Sequence, residues 1–313
     1  MIESTEKFAV DSPLRLQGIG GSEVGTVLGV NTFCSNVELY QIKIGELVDD
    51  FQSDAAELGH ILEPWILDKY EQREGVKLKR PGDIVYRHKD FPWLFAHVDG
   101  LVIGEKKGVD AKSTGIMNFK AAKNFGKAGT DEVPESIICQ CVLYMAIFDY
   151  DQWDVAALVA GGGVRFYQIK RDLELEEIVI GKLKHFWFEN VQKRIPPVLK
   201  TVEDAEILYT KGNLDPIEST PSIYKKYLER FKVKKTLCKI LKKLEAIDFE
   251  LKSFIGNHAE LVNFNDDQLI TWHKDQDSST FDKDSFKTDH PKLFKKYLKP
   301  KTGCRRFLPK TLK

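Results

Sequence analysis

The sequence predicts an α/β (α+β) protein: a central mixed β-sheet flanked by helices, followed by a basic C-terminal appendage. Three observations carry this. Segments with a helical apolar period alternate with short, Gly-punctuated segments of extended-chain alternation, in the order helix, strands, helix, strands, helix. Pro196-Pro197 closes that succession, and the texture of the chain changes beyond it. The 313 residues, 42% of them apolar, exceed one average domain and suffice for a substantial core. The division is a domain over residues 1–197 and an appendage over 198–313.

After a polar start, GIGGSEVGTVLG reads as a Gly-rich turn opening a short helix, and SNVELYQIKIGEL as a second helix capped by Ser35. In DAAELGHILEPWILDKYEQREG, Leu58, Ile61, Leu62, Trp65, Ile66 and Tyr70 keep a helical period, and Pro64 predicts a kink or a new start. VKLKRPGDIVYRH, WLFAHVDGLVIG and KKGVDAKST then read as neighbouring strands of one sheet. ESIICQCVLYMAIF is apolar enough for a buried helix. WDVAALVAG and VRFYQIK make a hairpin through Gly161, Gly162 and Gly163, and DLELEEIVIGKLKHFWFENVQKRI an amphipathic helix that the two prolines end. Past a Ser/Thr/Pro stretch, a Lys-rich helical run extends from Ile223 to about Ile255. It is read as lacking a sustained apolar heptad, which disfavours a coiled-coil scaffold. ELVNF and QLITWH around Asn265-Asp266-Asp267 read as a further hairpin.

No run approaches the roughly 18 uninterrupted apolar residues of a membrane span. The start MIESTEKFAVDSP lacks the basic-then-apolar order of a secretory signal, so a cytoplasmic protein with no membrane partner is expected. Cys34, Cys139, Cys141, Cys238 and Cys304 are odd in number and scattered, with no CxxC pair of the kind zinc sites use, and read as plain buried thiols. Net charge is zero, but the average hides an asymmetry: 24 Lys and Arg against 17 Asp and Glu from residue 198 onward, and 23 against 30 before it. A carboxylate-rich body with a basic tail suits a protein that holds divalent cations in one part and touches phosphates with another; ordinary solvated surface charge fits the same numbers.

Phosphodiester hydrolysis requires a hard cation held by carboxylate oxygens, a water placed for in-line attack, and a positive group near the developing charge. Asp99, Asp110 and Lys112 supply these types. Side chains alternate along a strand, so Asp110 and Lys112 project to one face while Ala111 between them can offer its backbone carbonyl. The GLVIGEKKG link after Asp99 is long enough only for a hairpin, which brings Asp99 beside Asp110. Alone, the spacing D-x(10)-D-x-K is also that of surface charges on a hairpin. Glu63 on the preceding helix adds a third carboxylate, and Gln140, with Tyr144 one helical turn later, adds a hydrogen-bonding pair on the following helix.

Taken together, Arg15 with GIGGSEVGTVLG, GHILEP around Glu63, HVDG around Asp99, DAK at 110–112 and QCVLY at 140–144 resemble the lambda-exonuclease or YqaJ-like viral recombinase branch of the PD-(D/E)xK nucleases. The similarity covers about residues 13 to 197 in order. It implies a restriction-endonuclease-like core in which Asp99, Asp110 and the Ala111 carbonyl bind Mg²⁺ or Mn²⁺ and Glu63 supports the site. Lys112 would orient or deprotonate the attacking water, and Gln140 would position that water or the scissile phosphate. Arg15 and Ser22, at the start of a helix, would form part of a pocket for a DNA 5′-phosphate, as an Arg fork and helix N-terminal N–H groups are suited to do. The chain departs from the pattern at His97-Val98, where lambda-type members carry Ser-Pro, and at Val142, which replaces a second Gln; His97 there becomes a candidate DNA contact, as does Tyr144.

The appendage is similar to a module attached to some YqaJ-type nucleases, through Thr271, Trp272, Phe281, Asp282, Phe286, Lys287, His290, Pro291, Leu293, Arg305, Arg306 and Phe307. From Lys292 to the end there are nine basic residues and no acidic one, interleaved with Tyr297 and Phe307, which suits contact with a nucleic-acid backbone through groups such as Arg305 and Arg306; a basic surface serving solubility or another subunit is the alternative. The resemblance implies a 5′-to-3′ exonuclease on double-stranded DNA ends that leaves 3′ overhangs for recombination. It also implies a homotrimer and a single-strand annealing protein as partner. An endonuclease or nickase of the same fold, or a non-catalytic DNA-binding protein, are the alternatives.

Overall fold

The computed structural model describes residues 2–4, 13–31, 33–48, 54–114, 121–160, 162–212, 215–300, 303 and 305–310; Gly161 and Cys304 lie outside them. The chain divides into two compact units, Met1–Tyr209 and Thr210–Lys313. Helix α6 (Val202–Leu208), beyond the two prolines, falls in the first unit, where Thr201 caps it and Asp204 is buried.

Two sheets form the first unit. The larger runs in the order β3 (Leu78–Lys79), β6 (Gly100–Val102), β7 (Lys107–Thr114), β8 (Gln152–Val159), β9 (Gly163–Lys170), and only β7 and β8 are parallel. The smaller joins β1 (Ile2–Ser4), β4 (Val85–Arg87), β5 (Leu94–His97) and β2 (Ile19–Gly20). The single sheet expected for residues 76–114 is therefore corrected to two. The cause is local: the chain leaves β5 at Val98-Asp99 and enters β6 beside a different neighbour, so one continuous apolar run serves both sheets.

Of the flanking helices, α1 (Gly21–Leu28) ends on Gly29 in the left-handed conformation, and α2 (Asn36–Lys43) starts at a capping box formed by Ser35 and Glu38. Helix α3 runs unbroken from Asp54 to Glu74. The expected interruption at Pro64 does not occur; Pro64 and His60, whose carbonyl the proline leaves without its N–H, are both exposed. Helix α4 (Glu135–Phe148) is buried from Cys139 to its end, as its composition requires. Helix α5 (Leu173–His185), capped by Asp172, passes into a π-helical turn over Phe186–Gln192 that places Trp187 parallel to Trp93. Of the cysteines, Cys34, Cys139 and Cys141 are buried, but Cys238 is exposed, contrary to the expectation of buried thiols.

The larger sheet separates two cores. Val155 and Ala157, the register partners of Asp110 and Lys112, belong to the core that contains α4; Val109 and Ala156 pack with Ile66, Leu67 and Tyr70 of α3. Burying each of these α3 side chains is worth about 1.5–3 kcal/mol. Gly108 sits where a Cβ would meet the Trp153 ring at 2.3 Å, so the glycine makes room for the largest fully buried side chain.

In the second unit, α7 (Pro221–Ile255) is capped by Thr220, β10 (Glu260–Val262) and β11 (Gln268–Thr271) form the expected hairpin, and α8 (Lys283–Asp289) and α9 (Pro291–Lys296) follow. One sequence reading is corrected here. Val233, Leu237, Ile240, Leu244, Ile247, Leu251 and Phe254 are spaced alternately four and three residues apart along α7, an apolar heptad sustained over seven positions.

Beneath α3, Tyr70 donates a hydrogen bond of 2.6 Å to Asp154, which also accepts one of 2.6 Å from Gln152. Burial pushes the Asp154 carboxyl up, and these donors oppose the shift. Tyr70→Phe removes one donor from a buried acceptor and is expected to lower stability by about 2 kcal/mol, read as a fall in the urea midpoint.

Candidate active site

The site is built where β7 outruns its neighbour. Strand β6 pairs with β7 only through Gly100 with Val109 and Leu101 with Gly108, whereas β7 continues to Thr114. Asp99, one residue before β6, occupies that edge, and its Oδ2 accepts the Ala111 N–H at 2.7 Å. In an extended strand the N–H and C=O of one residue point to the same edge, so the Ala111 carbonyl lies on the Asp99 side.

Asp110 is 1% exposed, and Lys112 holds its Nζ 2.5 Å from Asp110 Oδ2. That oxygen is buried, and the ammonium is its charged counterpart. Burial, and then the Asp110 charge, push the Asp99 carboxyl well above the usual carboxylate range; Lys112 and the Ala111 N–H pull the other way. Burial would lower the Lys112 ammonium, but Asp110 and Asp99 outweigh it and raise it. Glu63 comes from α3, on the other face of the sheet, and is half-buried; its charge reaches Asp99 around the sheet edge. Among the described residues no three His, Cys, Asp or Glu side chains converge in a ready cage. Asp99, Asp110 and Lys112 are brought together as the spacing predicted, with Glu63 more distant.

From α4, Gln140 Nε2 donates to the Tyr144 hydroxyl at 2.6 Å, and that hydroxyl donates to the His97 carbonyl at 2.9 Å. Tyr144 is buried, and its phenol is pushed up by burial and by Asp110. Its hydroxyl is committed within the protein, and it positions β5 just before Asp99. Cys141 is fully buried next to Asp110 and Lys112, whose charges act on its thiol after burial has pushed it up.

Tyr144 also ties this site to α1. A Cβ at Gly21 would lie 2.3 Å from the Tyr144 ring, so the helix N-terminus approaches the phenol directly. There, Glu23 Oε2 accepts the Gly20 N–H at 2.8 Å, Lys43 Nζ lies 2.7 Å from Glu23, and Arg15 Nη2 lies 3.6 Å from it. Ser22 is exposed in the first turn, and the Arg15 side chain is mostly covered. Sequence reasoning singled out Arg15 and Ser22 and passed over Glu23 and Lys43, which are buried as an ion pair next to them. The available signal was Lys43 between Ile42 and Ile44, a cation placed in an apolar stretch. Arg305 and Arg306 are exposed in the second unit, and Arg305 lies against Gly212 there.

The chain is 27% identical over 309 residues to the protein YqaJ of Bacillus subtilis (strain 168), covering 94% of this chain and 91% of that one. Similarity to solved structures is weaker. An alkaline exonuclease, LHK-Exo, of Laribacter hongkongensis is 20% identical with a TM-score of 0.46, covering 58% of this chain and 91% of its own. A phage related exonuclease from Haemophilus somnus 129PT is 14% identical with a TM-score of 0.43, covering 56% and 96%. The family model of the YqaJ-like viral recombinase domain matches residues 12–151, a span that holds Arg15, Glu63, Asp99, Asp110, Lys112, Gln140 and Tyr144. Over residues 12–151 this chain is similar to the YqaJ-like viral recombinase domain.

Proposed function

We propose that the chain is a metal-dependent DNA exonuclease that degrades one strand of a duplex from its 5′ end and leaves a 3′ single-stranded overhang for recombination. The observation that carries this reading is the approach of Asp99 to the open edge of β7 beside buried Asp110, with Lys112 on the same face. The recombinase domain match supports a role in DNA recombination.

The residues fit a divalent cation. Asp110 is buried with the Lys112 ammonium against its Oδ2, Asp99 is pushed up by burial and by Asp110, and the donors on offer are hard oxygens, which suit Mg²⁺ or Mn²⁺. Asp99, Asp110 and the Ala111 carbonyl would hold the ion, and Glu63 would support it from α3. When bound, it supplies charge neutralisation at the phosphoryl oxygens and a more acidic water.

The protein's own groups do the rest. Lys112 faces the negative charge that develops on the phosphate and orients the attacking water. Gln140, with its amide N–H₂ engaged by Tyr144, keeps its carbonyl oxygen for that water or for the nucleotide. Arg15 and Ser22 receive the 5′-terminal phosphate at the start of α1, with Glu23 and Lys43 fixing the loop beneath them. His97, two residues before Asp99, is a further DNA contact in this reading, and Arg305 and Arg306 engage the nucleic-acid backbone. A homotrimer acting with a single-strand annealing protein completes the reading.

On end-labelled duplex with Mg²⁺, label at the 5′ end is expected to be released first and covalently closed circles to resist; early loss of 3′ label would reject the polarity, and cut circles the exonuclease. Asp110→Ala and Lys112→Ala are each expected to lower turnover about 10²–10³-fold or more while DNA binding persists; turnover retained in both would remove the site. Because Asp99 titrates above an ordinary aspartate, its ionisation works against folding as pH rises past the carboxylate range. Asp99→Asn, which keeps an acceptor for the Ala111 N–H, is therefore expected to raise the melting temperature of the metal-free protein at neutral pH and to abolish the increment given by Mn²⁺.

A further inference from the structure

Among the described residues of its own unit, nothing packs against helix α7 along much of its length. Every residue from Lys232 to Glu250 is exposed, on all sides of the helix. Helices in proteins draw most of their stability from packing an apolar face, so a stretch of this kind that carries such a face lacks what would hold it. The face is present: Val233, Leu237, Ile240, Leu244, Ile247 and Phe254 are each between 51% and 78% exposed, and Leu251 continues the row. From Val233 to Phe254 the stripe is about 32 Å long on a helix about 10 Å across, roughly 300 Å² of contiguous apolar surface, the size of the largest patches on monomeric proteins, which are often functional.

The stripe also specifies what covers it. Its spacing is a strict alternation of four and three residues, the 3.5-residue period that makes helices wind around one another, rather than the 3.6-residue period of a helix lying on a globular core. With Leu237, Leu244 and Leu251 at a positions, Val233, Ile240, Ile247 and Phe254 fall at d. Leu at a with Ile at d favours three or four strands over two. Leu241, at the adjoining e position and also exposed, widens the seam as a multistranded bundle requires. Charge supports a parallel, in-register arrangement of identical chains: Lys243 at g would meet Asp248 at e of the neighbouring copy, so each copy supplies both partners of the pair.

We propose that the α7 stripe from Val233 to Phe254 is a self-association surface, through which three or four copies of this chain form a parallel coiled coil. This stands independently of the nuclease reading.

The test is position-specific cross-linking in the full-length chain with Cys238 and Cys304 replaced by Ser. Under a mild oxidant, Ile240→Cys at d is expected to form disulfides between copies about tenfold faster than Lys235→Cys on the outer face. Light scattering should show three or four chains, and Ile240→Glu/Leu244→Glu should slow the cross-linking of a Val233→Cys reporter without loss of the first unit's folding by circular dichroism. Equal rates at 240 and 235 would overturn the proposal. So would no disulfide at 240, whether because α7 stays single, because it pairs antiparallel, or because another part of the same chain covers the stripe.

Discussion

Everything at the candidate site depends on Asp99 taking the Ala111 N–H. An unpaired strand edge in a protein interior needs partners for its backbone groups, and here a carboxylate provides one where β6 stops. The same bond sets Asp99 against Asp110, an arrangement that opposes ionisation and persists because Lys112 and the backbone donor offset it. The carboxylates are thus not placed on a finished scaffold. One of them completes the scaffold, and the strain of their proximity is stored at the place where chemistry is proposed.

Most of this was legible in the sequence because it is short-range. The eleven residues from Asp99 to Asp110 permit little except a hairpin, and alternation along β7 puts Asp110 and Lys112 on one face whatever surrounds them. The helix α4 was legible from its apolarity, and Ser35 from its capping chemistry. What escaped was whatever depends on a distant neighbour. Nothing near Val98 announces that β5 and β6 belong to different sheets, since both flanks are equally apolar. Tyr144 has the composition of a DNA contact, and only the packing of α1 and β5 against it turns its hydroxyl inward. Glu23 and Lys43 escaped because the one local signal, Lys43 between Ile42 and Ile44, does not name a partner twenty residues earlier.

The α7 heptad escaped for a different reason. Counted from its start, the apolar row passes through Tyr224, Tyr227 and Phe231, then breaks register before Val233. The structure explains the break, because the early row is used within its own unit: Tyr227 donates to the Lys310 carbonyl and Arg230 lies over Phe307. Two stripes with two audiences read, end to end, as no stripe at all.

The contact between Gly21 and Tyr144 limits how this protein can drift. Any side chain at position 21 would enter the phenol ring, and losing that ring would free Gln140 and the His97 carbonyl together. A side chain at position 21 therefore requires a smaller residue at position 144. The loop at the start of α1 and the helix motif on α4, more than a hundred residues apart in sequence, are thus packed as a single unit.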